Sequence, residues 1–115
     1  MKEVKIVKRP WGLFRQFILN KKCTVKILVV KPKQELSLQK HKKRTEMWYF
    51  LTEGIVQLGR KIKKIKKERL VKIRKGVAHR LIADNKEVKV LEISSGEFDD
   101  KDIIRLEDDY GRTGK

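Results

Sequence analysis

The chain of 115 residues contains only two histidines, His41 and His79, and the residues around them could hold a metal ion. Gln39 and His41 lie two positions apart, so an extended backbone directs both side chains to one face. Glu46 follows five residues after His41, and His79 lies 38 residues beyond His41, opening another extended stretch. Two imidazoles, a carboxylate and an amide oxygen suit Zn²⁺ or another first-row divalent cation, and they can leave a position open for water or substrate. Two isolated histidines are more often surface or internally satisfied residues, so the set needs support from its surroundings. Glu46 supplies some, because Glu46, Trp48 and Phe50 share one face of an extended segment. If that face is the inner one, the carboxylate is a buried charge, and such charges are normally paired or metal-bound. Glu92 shares a face with Val88 and Val90, which makes it either an inward acid beside a pocket, a candidate catalytic base, or a buried structural partner. The single cysteine, Cys23, excludes an internal disulfide and a cysteine-based zinc knuckle, and no base near it points to a nucleophile.

These residues need a frame. Helical periodicity is almost absent, and short apolar or alternating runs recur between Gly-, Asn- or Lys-rich breaks, the pattern of an all-β chain. Strands are predicted over 13–19, 24–30, 46–51, 55–58, 70–73, 78–82 and 88–93, with a break spanning 59–68. Thr52-Glu53-Gly54 is a tight hairpin signal. The one helical turn expected lies near 99–103, with Asp99 or Asp100 as its N-cap. Short strands at this spacing build a sandwich or a small barrel, and the length allows a single domain, 1–115, with a metal-site core over 24–94 and an acidic tail over 97–115.

Charge is strongly uneven. Lys and Arg number 31 against 15 acids, a formal net charge of +16. Ten of the basic residues lie between Arg60 and Lys75, whereas seven acids lie between Glu97 and Asp109. A like-charge run is usually a solvated face, and lysines on an edge strand discourage aggregation. A phosphorylated ligand would be drawn to the basic side. No aromatics interleave the lysines, so nucleic acid is not the expected partner despite the charge. High Lys and Glu usage with little Asn follows the compositional trend of hyperthermophile proteins. No apolar run approaches the ~20 residues that cross a bilayer, and the opening MKEVKIVKRPWG lacks the apolar stretch of a signal peptide. A cytoplasmic protein without membrane contact is the expectation.

The motifs, taken in order, resemble a known family. Gln39-x-His41-x-x-Arg44-x-Glu46-x-Trp48, then Gly54, then Gly76-x-x-His79-Arg80 resembles the two-part metal motif of the cupin superfamily. More narrowly, the sequence resembles the type II phosphomannose isomerase domain, which also forms the C-terminal part of bifunctional mannose-1-phosphate guanylyltransferases. Further matching pieces are Arg9-Pro10-Trp11-Gly12-x-Phe14, Thr24-Val25-Lys26, Leu36-Ser37-Leu38, and the run from Asp102 through Arg105 to Arg112. The chain departs from the family's pattern at Lys33, Arg74, Ala83 and Ser94, none of them a candidate ligand, with Ser94 expected near the pocket. The Gly-rich phosphate-binding loop of the nucleotidyltransferase half is not among these residues, so GDP-mannose synthesis is not expected.

The resemblance implies a cupin double-stranded β-helix, a jelly-roll barrel in one domain, holding one divalent metal ion through Gln39, His41, Glu46 and His79. Zn comes first among the metals, with Co, Ni, Mn and Fe accepting the same donors. It implies reversible conversion of mannose 6-phosphate and fructose 6-phosphate, with Arg44 as a catalytic or substrate-orienting residue. Glu92 stands beside it as candidate base, and Lys40, Lys42 or Lys43 as possible phosphate contacts. Arg80 should point away from His79 and serve structure or an interface. Tyr110, Gly111 and Arg112 are expected in a tail packed over the barrel or a neighbour. Small barrels of this kind commonly pair through an edge strand, which implies a homodimer. The alternatives are a non-catalytic sugar-phosphate or sugar-nucleotide binding module, another cupin sugar epimerase or isomerase, or a basic scaffold.

Overall fold

A computed structural model describes residues 4–99 and 101–108. In chain order the strands are β1 (Lys5–Arg9), β2 (Gly12–Gln16), β3 (Thr24–Val30), β4 (Leu38–Lys40), β5 (Arg44–Phe50) and β6 (Gly54–Leu58). They continue with β7 (Lys61–Ile65), β8 (Leu70–Ile73), β9 (His79–Ile82), β10 (Val88–Gly96) and β11 (Ile104–Glu107). The described residues contain no helix, and so none long and apolar enough to cross a membrane.

β1 and β2 form a hairpin of their own, while the other strands build two antiparallel sheets, β3-β10-β5-β8 and β11-β4-β9-β6-β7. From β3 onward the chain passes back and forth between the sheets, so their inner faces enclose one core. Alternation decides which side chains enter it. Trp48 and Phe50 on β5, Val56 on β6, Leu81 on β9 and Val90 on β10 are at most 1% exposed. Each such apolar side chain contributes roughly 1.5–3 kcal/mol through removal from water. The face of β5 that carries Trp48 and Phe50 is therefore the inner one, and it carries Glu46 inward with them. Gly96 stands directly opposite Arg44 in the β10–β5 register with a φ of 109°. A Cβ there would lie 2.6 Å from the Lys43 carbonyl oxygen, so glycine lets β10 close against the start of β5.

Several elements differ from the expectation. The strand predicted over 13–19 is β2, ends at Gln16, and pairs with an unforeseen β1. The stretch 59–68, expected to be a break, contains β7. Its Lys-Ile-Lys-Lys-Ile sequence lies on a sheet edge and is exposed at four of five positions, so no alternation marks it. The lysines there form a solvated edge of the kind that resists strand addition. The helical turn expected near 99–103 is a non-helical turn: the Lys101 N–H donates to Asp99 Oδ1 and the Asp102 N–H to the Asp99 carbonyl, both at 2.9 Å. Asp100 lies outside the described residues. Part of the stretch read as an acidic tail is β11, an edge strand paired with β4, while Tyr110, Gly111 and Arg112 lie outside the described residues.

Candidate metal centre

His41 sits in the short crossing between β4 and β5, and His79 opens β9. A backbone hydrogen bond ties these places together, since the Gly76 N–H donates to the His41 carbonyl at 2.7 Å. Glu46 comes from the facing sheet. His41, Glu46 and His79 are 3%, 2% and 1% exposed, and one ligating atom of each lies within 4.8 Å of the others. Gln39 is the direct cross-strand partner of His79, so their side chains share a face. Its Oε1 accepts a hydrogen bond from the Ser37 hydroxyl at 2.9 Å, and a carbonyl oxygen keeps a second lone pair.

The hydrogen bonds fix the tautomers. His41 Nδ1 is 2.6 Å from the Asp102 carbonyl oxygen and His79 Nδ1 is 2.8 Å from that of Val77. Carbonyls only accept, so both Nδ1 atoms carry the proton and both Nε2 lone pairs face the cluster. His79 Nε2 and Glu46 Oε1 then stand 3.2 Å apart as two acceptors, and both are buried without a hydrogen-bond partner. Orphaned acceptors this close are what a cation reconciles, and the donor set fits a divalent metal ion.

Charge in the cluster is arranged to match. Burial pushes the His41 imidazole below its usual value, against the opposing pull of the Asp102 carbonyl and Glu46, and so favours the neutral ligand form. Burial alone would raise the Glu46 carboxyl, but a proton on His79 or His41, together with Arg44 beside it, outweighs that and brings it down to about 2. Arg44 is buried; its Nε donates to Glu46 Oε2 at 3.1 Å and its Nη2 to His41 Nε2 at 3.1 Å. Glu92 accepts from Trp48 Nε1 at 3.0 Å. Burial, and then the nearby Glu46 carboxylate, raise its pKa above the ordinary carboxylate value.

A cavity of about 370 Å³ opens beside these groups. Lys26, Arg44, Glu46 and Glu92 line it from one sheet, Ser37, Gln39 and Arg105 from the other, and Phe98 from the connection between them. Its size falls within the roughly 300–1,000 Å³ of small-molecule sites. The structure thus brings all six candidate residues, Gln39, His41, Arg44, Glu46, His79 and Glu92, to one place. Lys40, Lys42 and Lys43 do not line the cavity; Lys43 instead pairs with Glu97 and Asp99 at 3.6 and 3.9 Å. Arg80 points to the other side of its strand, donating to the Leu36 carbonyl at 2.8 Å and pairing with Glu35 and Glu107. Ser94 lies within, its hydroxyl 3.4 Å from Glu46 Oε2.

Sequence reasoning passed over Lys26, Phe98, Asp102 and Arg105 as site residues. Lys26, Asp102 and Arg105 all lie in the motif pieces quoted above, which was the available signal. Asp102 is a positioning residue. Its two carboxylate oxygens accept from the Lys42 and Lys43 N–H groups at 2.9 Å while its carbonyl orients His41. Those two N–H groups hold its own carboxyl below the usual range. Asp102→Ala is expected to weaken divalent-metal affinity by roughly 10–100-fold, the usual effect of removing an outer support of a ligand. Competition with a chromophoric chelator measures it, and an unchanged affinity would show that the carbonyl holds His41 without the carboxylate.

The family model described as "Mannose-6-phosphate isomerase C-terminal" matches residues 1–108. The xanthan biosynthesis protein XanB of Xanthomonas campestris pv. campestris is 36% identical over 110 residues, covering 93% of this chain and 24% of that protein. The mannose-1-phosphate guanylyltransferase ManC of Salmonella typhimurium is 31% identical over 109 residues, covering 92% of this chain and 23% of that protein. The chain therefore spans about a quarter of the length of these relatives. Among solved structures, a cupin-2 domain from Rhodospirillum rubrum superposes with a TM-score of 0.63 at 18% identity, over 84% of this chain and 71% of that one. The fold is the cupin double-stranded β-helix.

Proposed function

Because the chain belongs to the mannose-6-phosphate isomerase C-terminal family, we propose that it is a metal-dependent isomerase interconverting mannose 6-phosphate and fructose 6-phosphate. The observation that carries this reading is the buried His41–Glu46–His79 trio, with His79 Nε2 and Glu46 Oε1 left without hydrogen-bond partners, beside a guanidinium and a second carboxyl on one cavity. His41, Glu46, His79 and Gln39 would hold the ion, with Zn²⁺ first and Co, Ni, Mn or Fe compatible with the same donors. When bound, that ion supplies Lewis acidity toward the substrate's C1 and C2 oxygens.

The rest of the chemistry belongs to side chains. Aldose–ketose conversion moves one proton between C2 and C1 and one between the two oxygens, with no net gain or loss. Glu92 would take the carbon-bound proton from C2 and return it to C1, a task its raised pKa suits because it brings the base closer to the operating pH. Arg44, anchored by Glu46, would donate to the oxygen on which negative charge develops. We place the activity in the cytoplasm and in a homodimer. For the latter, Val25, Ile27 and Val29 on edge strand β3 are each more than half exposed and offer an apolar face for a second copy.

A coupled assay for fructose 6-phosphate, run on protein as purified, after metal stripping and after return of single metals, tests the reading. Turnover is expected to vanish on stripping and to return with at least one metal. Stabilisation by fructose 6-phosphate without turnover under any metal would overturn the isomerase in favour of a binding module.

A further inference from the structure

Two cations on the cavity remain outside the chemistry described so far. Lys26 lies on β3 and Arg105 on β11, and both strands are edges of their sheets. Lys26 is the direct cross-strand partner of Glu92. Arg105 is the partner of Gln39, which is in turn the partner of His79. Directly paired residues share a face, so each cation heads a row that runs inward to the reacting centre. With strands about 4.8 Å apart, Lys26 stands one strand from the candidate base, and Arg105 one strand from Gln39 and two from His79.

Neither cation is spoken for. Among the described residues neither forms an ion pair, and Arg105 Nε is buried with no hydrogen-bond partner. Lys26 Nζ lies 4.1 Å from the centre of the Phe98 ring, which also carries the Arg44 guanidinium at 4.3 Å. A ring face steadies an ammonium while consuming none of its three N–H donors. The two acids on the cavity are committed elsewhere, Glu46 to Arg44 and the candidate metal cluster, and Glu92 to Trp48. A neutral sugar has no use for two unpaired cations at the rim, whereas a dianionic phosphoryl group does.

We infer that Lys26 and Arg105 form an anion subsite that grips the phosphoryl group of the ligand at the rim of the sandwich, with the sugar carbons directed inward to Glu92 and Arg44. This assignment rests on the sugar-phosphate reading for the ligand, but the subsite itself is a property of these two side chains. Arg105 supplies directional N–H donors from one sheet and Lys26 a compact charge from the other, so the phosphoryl group would bridge the two edges.

Isothermal titration with inorganic phosphate, on metal-free and metal-loaded protein, tests it together with steady-state kinetics on mannose 6-phosphate. The variants are Lys26→Gln, Arg105→Gln and the charge-conserving Arg105→Lys. Phosphate affinity is expected to fall at least tenfold in each Gln variant and by less in Arg105→Lys, with metal content unchanged. KM for mannose 6-phosphate is expected to rise by a comparable factor, with the loss concentrated in KM more than in kcat. Wild-type protein that takes up no phosphate at millimolar concentration, or Gln variants that melt as wild type and bind phosphate equally well, would overturn the inference. The two readings fail separately. Turnover with KM unchanged in both Gln variants would remove the subsite and leave the isomerase, whereas phosphate uptake lost in the variants of a wild type without turnover would do the reverse.

Discussion

Replacing His79 with alanine is expected to leave the protein without bound metal and to reduce isomerase turnover by about 10³-fold or more. The size follows from the role. Lewis-acid stabilisation of the developing charge is worth several kcal/mol, and each ~1.4 kcal/mol is tenfold in rate. His79 is also the residue whose removal acts most selectively on the ion. Its Nδ1 bond is to a carbonyl two residues away, and its ring touches Trp48 edge-on at 5.5 Å, so truncation leaves a small gap in a wall that is otherwise complete. Removing Glu46 is less clean, because it strands the buried Arg44 guanidinium and adds about 3–5 kcal/mol of destabilisation typical of a broken buried pair. Metal content per chain and the coupled assay, both on folded His79→Ala protein, check the expectation. A variant that keeps its metal would show that His41, Glu46 and Gln39 suffice.

The second large effect is expected at Arg44, with the opposite signature for the ion. Arg44→Ala should lower kcat by roughly 10²–10³-fold, the range for loss of one donor aimed at a developing oxyanion, while metal content does not fall. The reason lies in its present bonds. Arg44 Nη2 donates to His41 Nε2, the same lone pair a metal would take, so deleting the guanidinium frees a ligand atom. Arg44→Lys keeps a positive charge but loses the forked contact to Glu46 and His41 and should recover only part of the rate. Loss of metal along with rate would instead assign Arg44 to holding Glu46 in place.

The sequence carried the centre further than the frame. Scarcity made His41 and His79 legible, and period-two spacing put Glu46 with Trp48 and Phe50 because β5 lies between β10 and β8 and is covered on its inner face. Where a strand lies at an edge, the same reasoning fails. β7 and β1 have most of their side chains in water, so nothing in their residue order alternates. The supports of the site were hidden for another reason. Asp102 meets His41 across 61 residues of chain, and Lys26 meets Glu92 only because β3 and β10 pair in one register. Such adjacency is a property of strand pairing and has no local signature, which is why the flanking lysines at 40, 42 and 43 looked the nearer candidates for an anion.

The candidate ligands are drawn from both faces of the sandwich: Glu46 from one sheet, Gln39 and His79 from the other, His41 from the segment that crosses between them. An ion held by them would recognise the closed sandwich and have no counterpart on the unfolded chain. It would therefore act as a staple whose strength is set by the surroundings, adding about 2.7 kcal/mol when free cation exceeds its dissociation constant 100-fold and nothing when a chelator removes it. The thermal stability of this protein would then report the cation supply of its solution as much as the packing of its core.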